Sequence, residues 1–255
     1  MSVSDAGKAF LTLVKRLRAK YAHAPSDSPV SQEPGGAADG LVDQMVFGFM
    51  LWESSSSAAK TAFERVGSAF VDYNELRIAL PEEIASVLGD EGALGLERAT
   101  RLRASLRDVY GREHSITLAH VSEAPKREAW SYLRSLEGMP QFVAARLLVF
   151  GLGGHAAPVD RRLASLLHAE GACPEGLDEP WDIGAWLERQ VRANEAGAVA
   201  SVLQSWSDDR GGAARASNAA KAKAERTPKA ARAPKAKGTP ASAKASGGRP
   251  KSKGG

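Results

Sequence analysis

The feature that most constrains this chain is a pair of apolar helical stretches separated by only Glu137-Gly138-Met139-Pro140. Before the turn, Trp130, Leu133 and Leu136 recur at three-residue steps and form one apolar face. After it, Val143, Ala144, Leu147 and Leu148 form another, ending at Gly151-Leu152-Gly153-Gly154. Gly and Pro two apart mark a turn. A connection this short forces the two helices into a tight hairpin. Pro158-Val159-Asp160 then leads into a third helix carrying Leu163, Leu166 and Leu167.

Leu136-Glu137-Gly138-Met139-Pro140-Gln141-Phe142-Val143-Ala144 resembles the helix-hairpin-helix of the endonuclease III-like DNA glycosylase superfamily. The pattern there is L-P-G-V-G-x-K-x-A, then an apolar helix, then V-D before another helix. Val159-Asp160 stands in the place of that V-D, 18 residues after Phe142. The resemblance implies an all-α, two-lobed fold over roughly residues 41–205, with its sharp motifs in 133–163. It places the catalytic aspartate at Asp160. The lysine of the bifunctional members falls on Phe142, so activity would be monofunctional: base release without strand cleavage.

Charge is divided unevenly. The chain carries 34 Lys and Arg against 30 Asp and Glu, a formal net charge of +4. Residues 211–255 hold 12 of the bases and one acid, which leaves 22 bases against 29 acids, about −7, in the rest. An acidic body with a basic tail is the asymmetry of a nucleic-acid-seeking appendage. The tail has no aromatic, Leu, Ile or Val and is expected to be disordered. Lys229, Lys235 and Lys251, each beside a proline, would neutralise phosphates and release counterions. A solubilising role, or a contact with RNA or an acidic protein, is the alternative. The single cysteine, Cys173, excludes an internal disulfide and an all-cysteine cluster. The four-cysteine iron–sulfur site of many endonuclease III relatives is therefore missing. No stretch approaches the ~18 apolar residues of a membrane span. The five histidines show no ligand spacing. The expectation is a cytoplasmic, nucleoid-associated monomer that binds double-stranded DNA with no cofactor, metal or membrane.

Three segments follow: 1–40, an N-terminal helix (4–21) and flexible loop; 41–210, the helical domain; and 211–255, the tail. Within the domain, helical spacing predicts elements over 41–52, 58–70, 73–78, 81–89, 94–110, 181–191 and 195–206. Residues 115–120 read as a connection anchored by Ile116 and Leu118, and Ser56 or Ser57 as the start of a helix. Arg98, Arg101, Arg103 and Arg107 read as an exposed face of the 94–110 helix.

A carboxylate at Asp160 would stabilise an oxocarbenium-like sugar or orient the attacking water, because positive charge develops in that transition state. Asp before Arg161-Arg162-Leu163 is also a good helix N-cap, and the two roles are compatible. The hairpin would hold DNA backbone through Gly138, Met139 and Gln141, with Arg161 and Arg162 in reach of phosphate. Pro140 removes one amide donor. In the resemblance, the polar wedge that fills the gap left by an extruded base falls on Trp52 or, one residue on, Glu53. A catalytically silent hairpin-fold DNA-binding protein, its affinity supplied by the tail, is the second reading.

Overall fold

The computed structural model describes residues 3–21 and 38–226, and every regular element among them is helical. In chain order these are α1 (Val3–Lys20), α2 (Ala38–Leu51), α3 (Ser56–Ala69), α4 (Tyr73–Ile78), α5 (Pro81–Leu88) and α6 (Ala93–Glu113). Then come α7 (Ala119–Glu123), α8 (Lys126–Ser135), α9 (Gln141–Arg146), α10 (Arg161–Ala169), α11 (Pro180–Glu188) and α12 (Ala196–Arg226). A π-helical turn, Leu147–Gly151, continues α9. Residues 1–215 form one compact unit; of residues 216–255, the structure describes only the end of α12.

Within residues 1–215 there are two apolar cores. The first gathers α2 through the π turn around fully buried Met45, Phe49, Leu76, Leu102 and Leu118. The second is built from both ends of that unit: Phe10, Leu13 and Leu17 of α1 meet Leu163, Leu167, Ile183, Trp186, Leu203 and Trp206. Phe10 lies edge-on to Trp186 at 6.0 Å between ring centroids. An amphipathic helix must cover its apolar face, and α1 covers it here, so it does not stand apart from the domain. Burying such side chains is worth about 1.5–3 kcal/mol each. The chain thus starts in one lobe, builds the other, and returns. Asp160 lies where it returns.

Local signals explain most boundaries. Pro81 opens α5 with Glu82 and Glu83 in its first turn, and Gly89 (φ 73°) closes it in the left-handed region. Ser55 caps α3, its Oγ accepting the Ala58 N–H at 3.3 Å, one residue ahead of the serines expected to start it. Residues 119–123 form α7 where only a connection was expected. Leu118 and Val121, both essentially buried, sit three apart and pin that turn to the core. α12 continues to Arg226, well into the stretch whose composition predicts disorder. Alanine and lysine favour helix locally even where no apolar face needs burial. Residues 227–255 lie outside the described residues.

Because Phe10 is wholly buried in the second core, Phe10→Ala should cost about 3–5 kcal/mol of unfolding free energy in urea titrations. A loss under about 1 kcal/mol would mean that α1 is not integral to the lobe.

Candidate active site

The hairpin turn is held on α6. Gly138 adopts φ +74°, and a Cβ there would come within 2.7 Å of the Arg101 carbonyl oxygen, so only glycine fits. The Glu137 N–H donates to Asp108 Oδ2 at 2.8 Å, and the Glu137 carbonyl accepts from Ser105 Oγ at 2.7 Å. The Met139 N–H closes the turn on the Leu136 carbonyl at 3.2 Å. Two turn amides are thus engaged within the protein, and Pro140 supplies none. Met139 and Gln141 are half-buried. Phe142, in the lysine position of the hairpin pattern, packs into the first core at 4% exposure.

Asp160 is the N-cap of α10 and is 4% exposed. Its Oδ1 accepts the Leu163 N–H at 2.8 Å; its Oδ2 accepts the Glu53 N–H at 3.2 Å. Burial pushes its pKa up from the ordinary 3.8 to about 6. The Leu163 amide opposes that rise, the Glu53 charge adds to it, and Arg162 and the Glu53 amide oppose it. A desolvated carboxylate near a helix N-terminus is still ionised at neutral pH but sits high in free energy.

The α2–α3 corner closes over this group. Glu53 adopts φ +56°, and its Oε1 accepts the Arg161 N–H at 2.9 Å. The first amide of α3, at Ser56, points at both oxygens of Asp208 at 3.2 Å. Asp208 also accepts from Gln204 Nε2 at 3.0 Å and lies 3.6 Å from Arg162 Nη2. Trp52 is half-buried against the first core, with the Arg101 guanidinium 5.4 Å above its ring. Arg98, expected on the exposed face of α6, is 5% exposed instead. It donates to the Trp52 carbonyl at 2.7 Å and to Asp90 Oδ2 at 3.2 Å, and so braces the corner from beneath. Glu53, Ser54, Asp90 and Arg98, with Met50 and Ala58, line a cavity of about 240 Å³ beside the corner.

Of the residues singled out from the sequence, Asp160, Glu53, Arg161 and Arg162 come together here. Arg161 is exposed; Arg162 is half-buried and donates to the Ser207 carbonyl at 3.3 Å. Gly138, Met139 and Gln141 stay together in the hairpin. Lys229, Lys235 and Lys251 lie outside the described residues. Sequence reasoning missed Gln204 and Asp208. They are one turn apart on α12 and bonded to each other, but nothing in their neighbourhood marks them, since the Ser56 amide that Asp208 accepts lies 152 residues away in sequence. Among the described residues no cluster of His, Cys, Asp or Glu is arranged to hold a metal, and no helix is long and apolar enough to cross a membrane.

The overall arrangement of helices is the fold of the helix-hairpin-helix DNA glycosylases. An endonuclease III trapped on DNA as a covalent intermediate superposes with a TM-score of 0.56 at 12% identity, over 78% of this chain and 84% of its own. The H. pylori 3-methyladenine DNA glycosylase bound to 1,N6-ethenoadenine gives 0.54 at 15% identity, over 79% and 98%. A thermostable thymine-DNA glycosylase gives 0.52 at 16% identity, over 78% and 86%. No protein-family model matches the chain, and no curated protein matches it in sequence.

The raised pKa of Asp160 has a definite consequence for stability. A carboxyl held more tightly protonated in the folded state contributes most below about pH 4, and that contribution falls as pH rises through about 6. Asn keeps the Leu163 cap without the charge, but its amide NH2 cannot accept the Glu53 N–H. That lost bond is the same at every pH, so Asp160→Asn should gain roughly 1–3 kcal/mol relative to the wild type between pH 4 and pH 8. Thermal melts across that range test it; a difference that does not change with pH would show that the charge is not under strain. Gly138→Ala should cost about 1–3 kcal/mol through its backbone conformation and the clash with Arg101.

Proposed function

We propose that this chain is a monofunctional DNA glycosylase of the base-excision-repair kind, acting on a damaged or mismatched base in double-stranded DNA with Asp160 as its catalytic carboxylate. The observation that supports this best is the Asp160 carboxylate itself: buried, raised to about 6, and seated at the start of α10 beyond the hairpin. A desolvated anion gains most from a positive charge placed beside it. An oxocarbenium-like deoxyribose is such a charge. As the bond from C1′ to the base breaks, its electron pair leaves with the base. Water then adds to C1′, and its proton is taken up by the departing base or by solvent. Phe142 offers no amine, so no Schiff base forms and the strand stays intact. In the free protein the Glu53 amide holds Asp160 Oδ2. Productive binding therefore requires the α2–α3 corner to release that oxygen toward the sugar, as base extrusion reshapes the site.

In this reading the hairpin and Arg161 face DNA backbone, and the basic tail, with Lys229, Lys235 and Lys251, adds sequence-blind affinity. A single copy of the chain suffices. One observation favours a second reading, a catalytically silent DNA-binding protein: Asp160 is only 4% exposed, with both oxygens on main-chain donors.

Purified protein offered duplexes with uracil, alkylated, oxidised or mismatched bases should release base from at least one without strand scission. The rate should fall as pH drops through about 6, where Asp160 takes up a proton. Asp160→Asn should lower release at least 100-fold with DNA affinity unchanged. No release from any duplex would leave the second reading. Deleting residues 227–255 should weaken DNA binding and shallow its salt dependence; unchanged binding would remove the tail from the interface.

A further inference from the structure

The α2–α3 corner carries a second carboxylate whose arrangement no local rule explains. Glu53 is one of two non-glycine residues at positive φ among the described residues. A glutamate in the left-handed region is strained and persists only where the surroundings hold it. Two bonds hold it. Its N–H donates to Asp160 Oδ2 at 3.2 Å, and its Oε1 accepts the Arg161 N–H at 2.9 Å. The two acids therefore take two of the open amides at the start of α10: Asp160 that of Leu163, Glu53 that of Arg161. In this turn the main chain of Glu53 meets one partner while its side chain reaches the other. Among the described residues its Oε2 has no hydrogen-bond partner, and the side chain borders the cavity that Arg98 and Asp90 also line.

We infer that Glu53 is the positioning residue of the site: it clasps the start of α10 and sets the charge and orientation of Asp160 for reaction. This deepens the glycosylase reading and rests on it. Asp160 is faced by Glu53 from the corner and by Arg162 from its own helix. Asp208 of α12 lies behind Arg162, and Arg98 of α6 lies behind Glu53. Asp208 reaches α10 only through the Arg162 side chain, whereas Glu53 is hydrogen-bonded to Asp160 and to the first amide of its helix. Its negative charge disfavours ionisation of Asp160, and its amide favours it. A clasp of this kind holds the carboxylate ready without stabilising it fully, and opens when the corner moves.

Glu53→Gln keeps both hydrogen bonds, since the amide oxygen still accepts, and removes only the charge. The titration midpoint of the Asp160 carboxyl, followed by carbon NMR on the full chain, should then fall by roughly 0.5–1 pH unit. The acid limb of base release should move down with it. Glu53→Ala also removes the acceptor for the Arg161 amide; kcat should fall tenfold or more with KM within twofold. A role confined to stability would lower the melting temperature of both variants and leave the midpoint in place. An unmoved midpoint in folded Glu53→Gln overturns the inference. The NMR titration needs no turnover, so a shifted midpoint in a protein that releases no base would uphold the clasp while rejecting the glycosylase reading. Glu53→Gly, which relieves the left-handed backbone, checks folding independently: it should be no less stable than Glu53→Ala.

Discussion

The open amides at the start of α10 are the constraint around which the site is arranged. A helix begins with N–H groups that have no partner within it, and burying them unmet is costly. Here two carboxylates from distant parts of the chain meet them: Asp160 as the cap and Glu53 from the α2–α3 corner. The same exchange fastens the corner to α10 through the Glu53 amide, and Asp208 fastens the start of α3 to α12. Helix starts in each lobe are thus completed by acids belonging to the other. Separating the lobes would leave amides and carboxylates on both sides unsatisfied.

That arrangement is stable because the lobes are closed elsewhere. α1 and the three last helices bury Phe10, Trp186 and Trp206 together, which brings α12 back over the corner. The corner itself rests on Arg98, whose guanidinium holds the Trp52 carbonyl from below. Asp160 remains ionised at neutral pH although buried, and it bears a free-energy cost that a neutral cap would not.

Much of the fold was legible in the sequence because its signals are local. Helical spacing, Pro81, Gly89, the Glu137–Pro140 turn and the Val159-Asp160 pair each act within a few residues, and the elements appear close to where they were expected. Asp160 could be recognised as a cap from Arg161-Arg162-Leu163 beside it, and as a candidate catalyst from the resemblance carried by the hairpin and its spacing to Val159-Asp160. Arg98 could not be placed: its position on α6 follows the charged face of that helix, but the corner lies directly over it. Asp208 was silent for the same reason, since it caps a helix that begins 152 residues earlier, and Gln204 matters only through its bond to Asp208. Glu53 stood out only as a possible wedge, because a left-handed glutamate is a product of its partners and not of its neighbours in sequence.

By itself, then, the sequence determined an all-helical body, a tight hairpin turning at Gly138, the absence of an amine at 142, and an acid at the head of the next helix. Each follows from short-range sterics, hydrogen-bonding valence or the chemistry of one side chain. Only the tertiary structure decided that α1 completes the second lobe, that Arg98 is buried, and that Glu53 and Asp160 share one helix terminus. Those outcomes depend on which apolar faces find each other across the chain, and no local pattern encodes that choice.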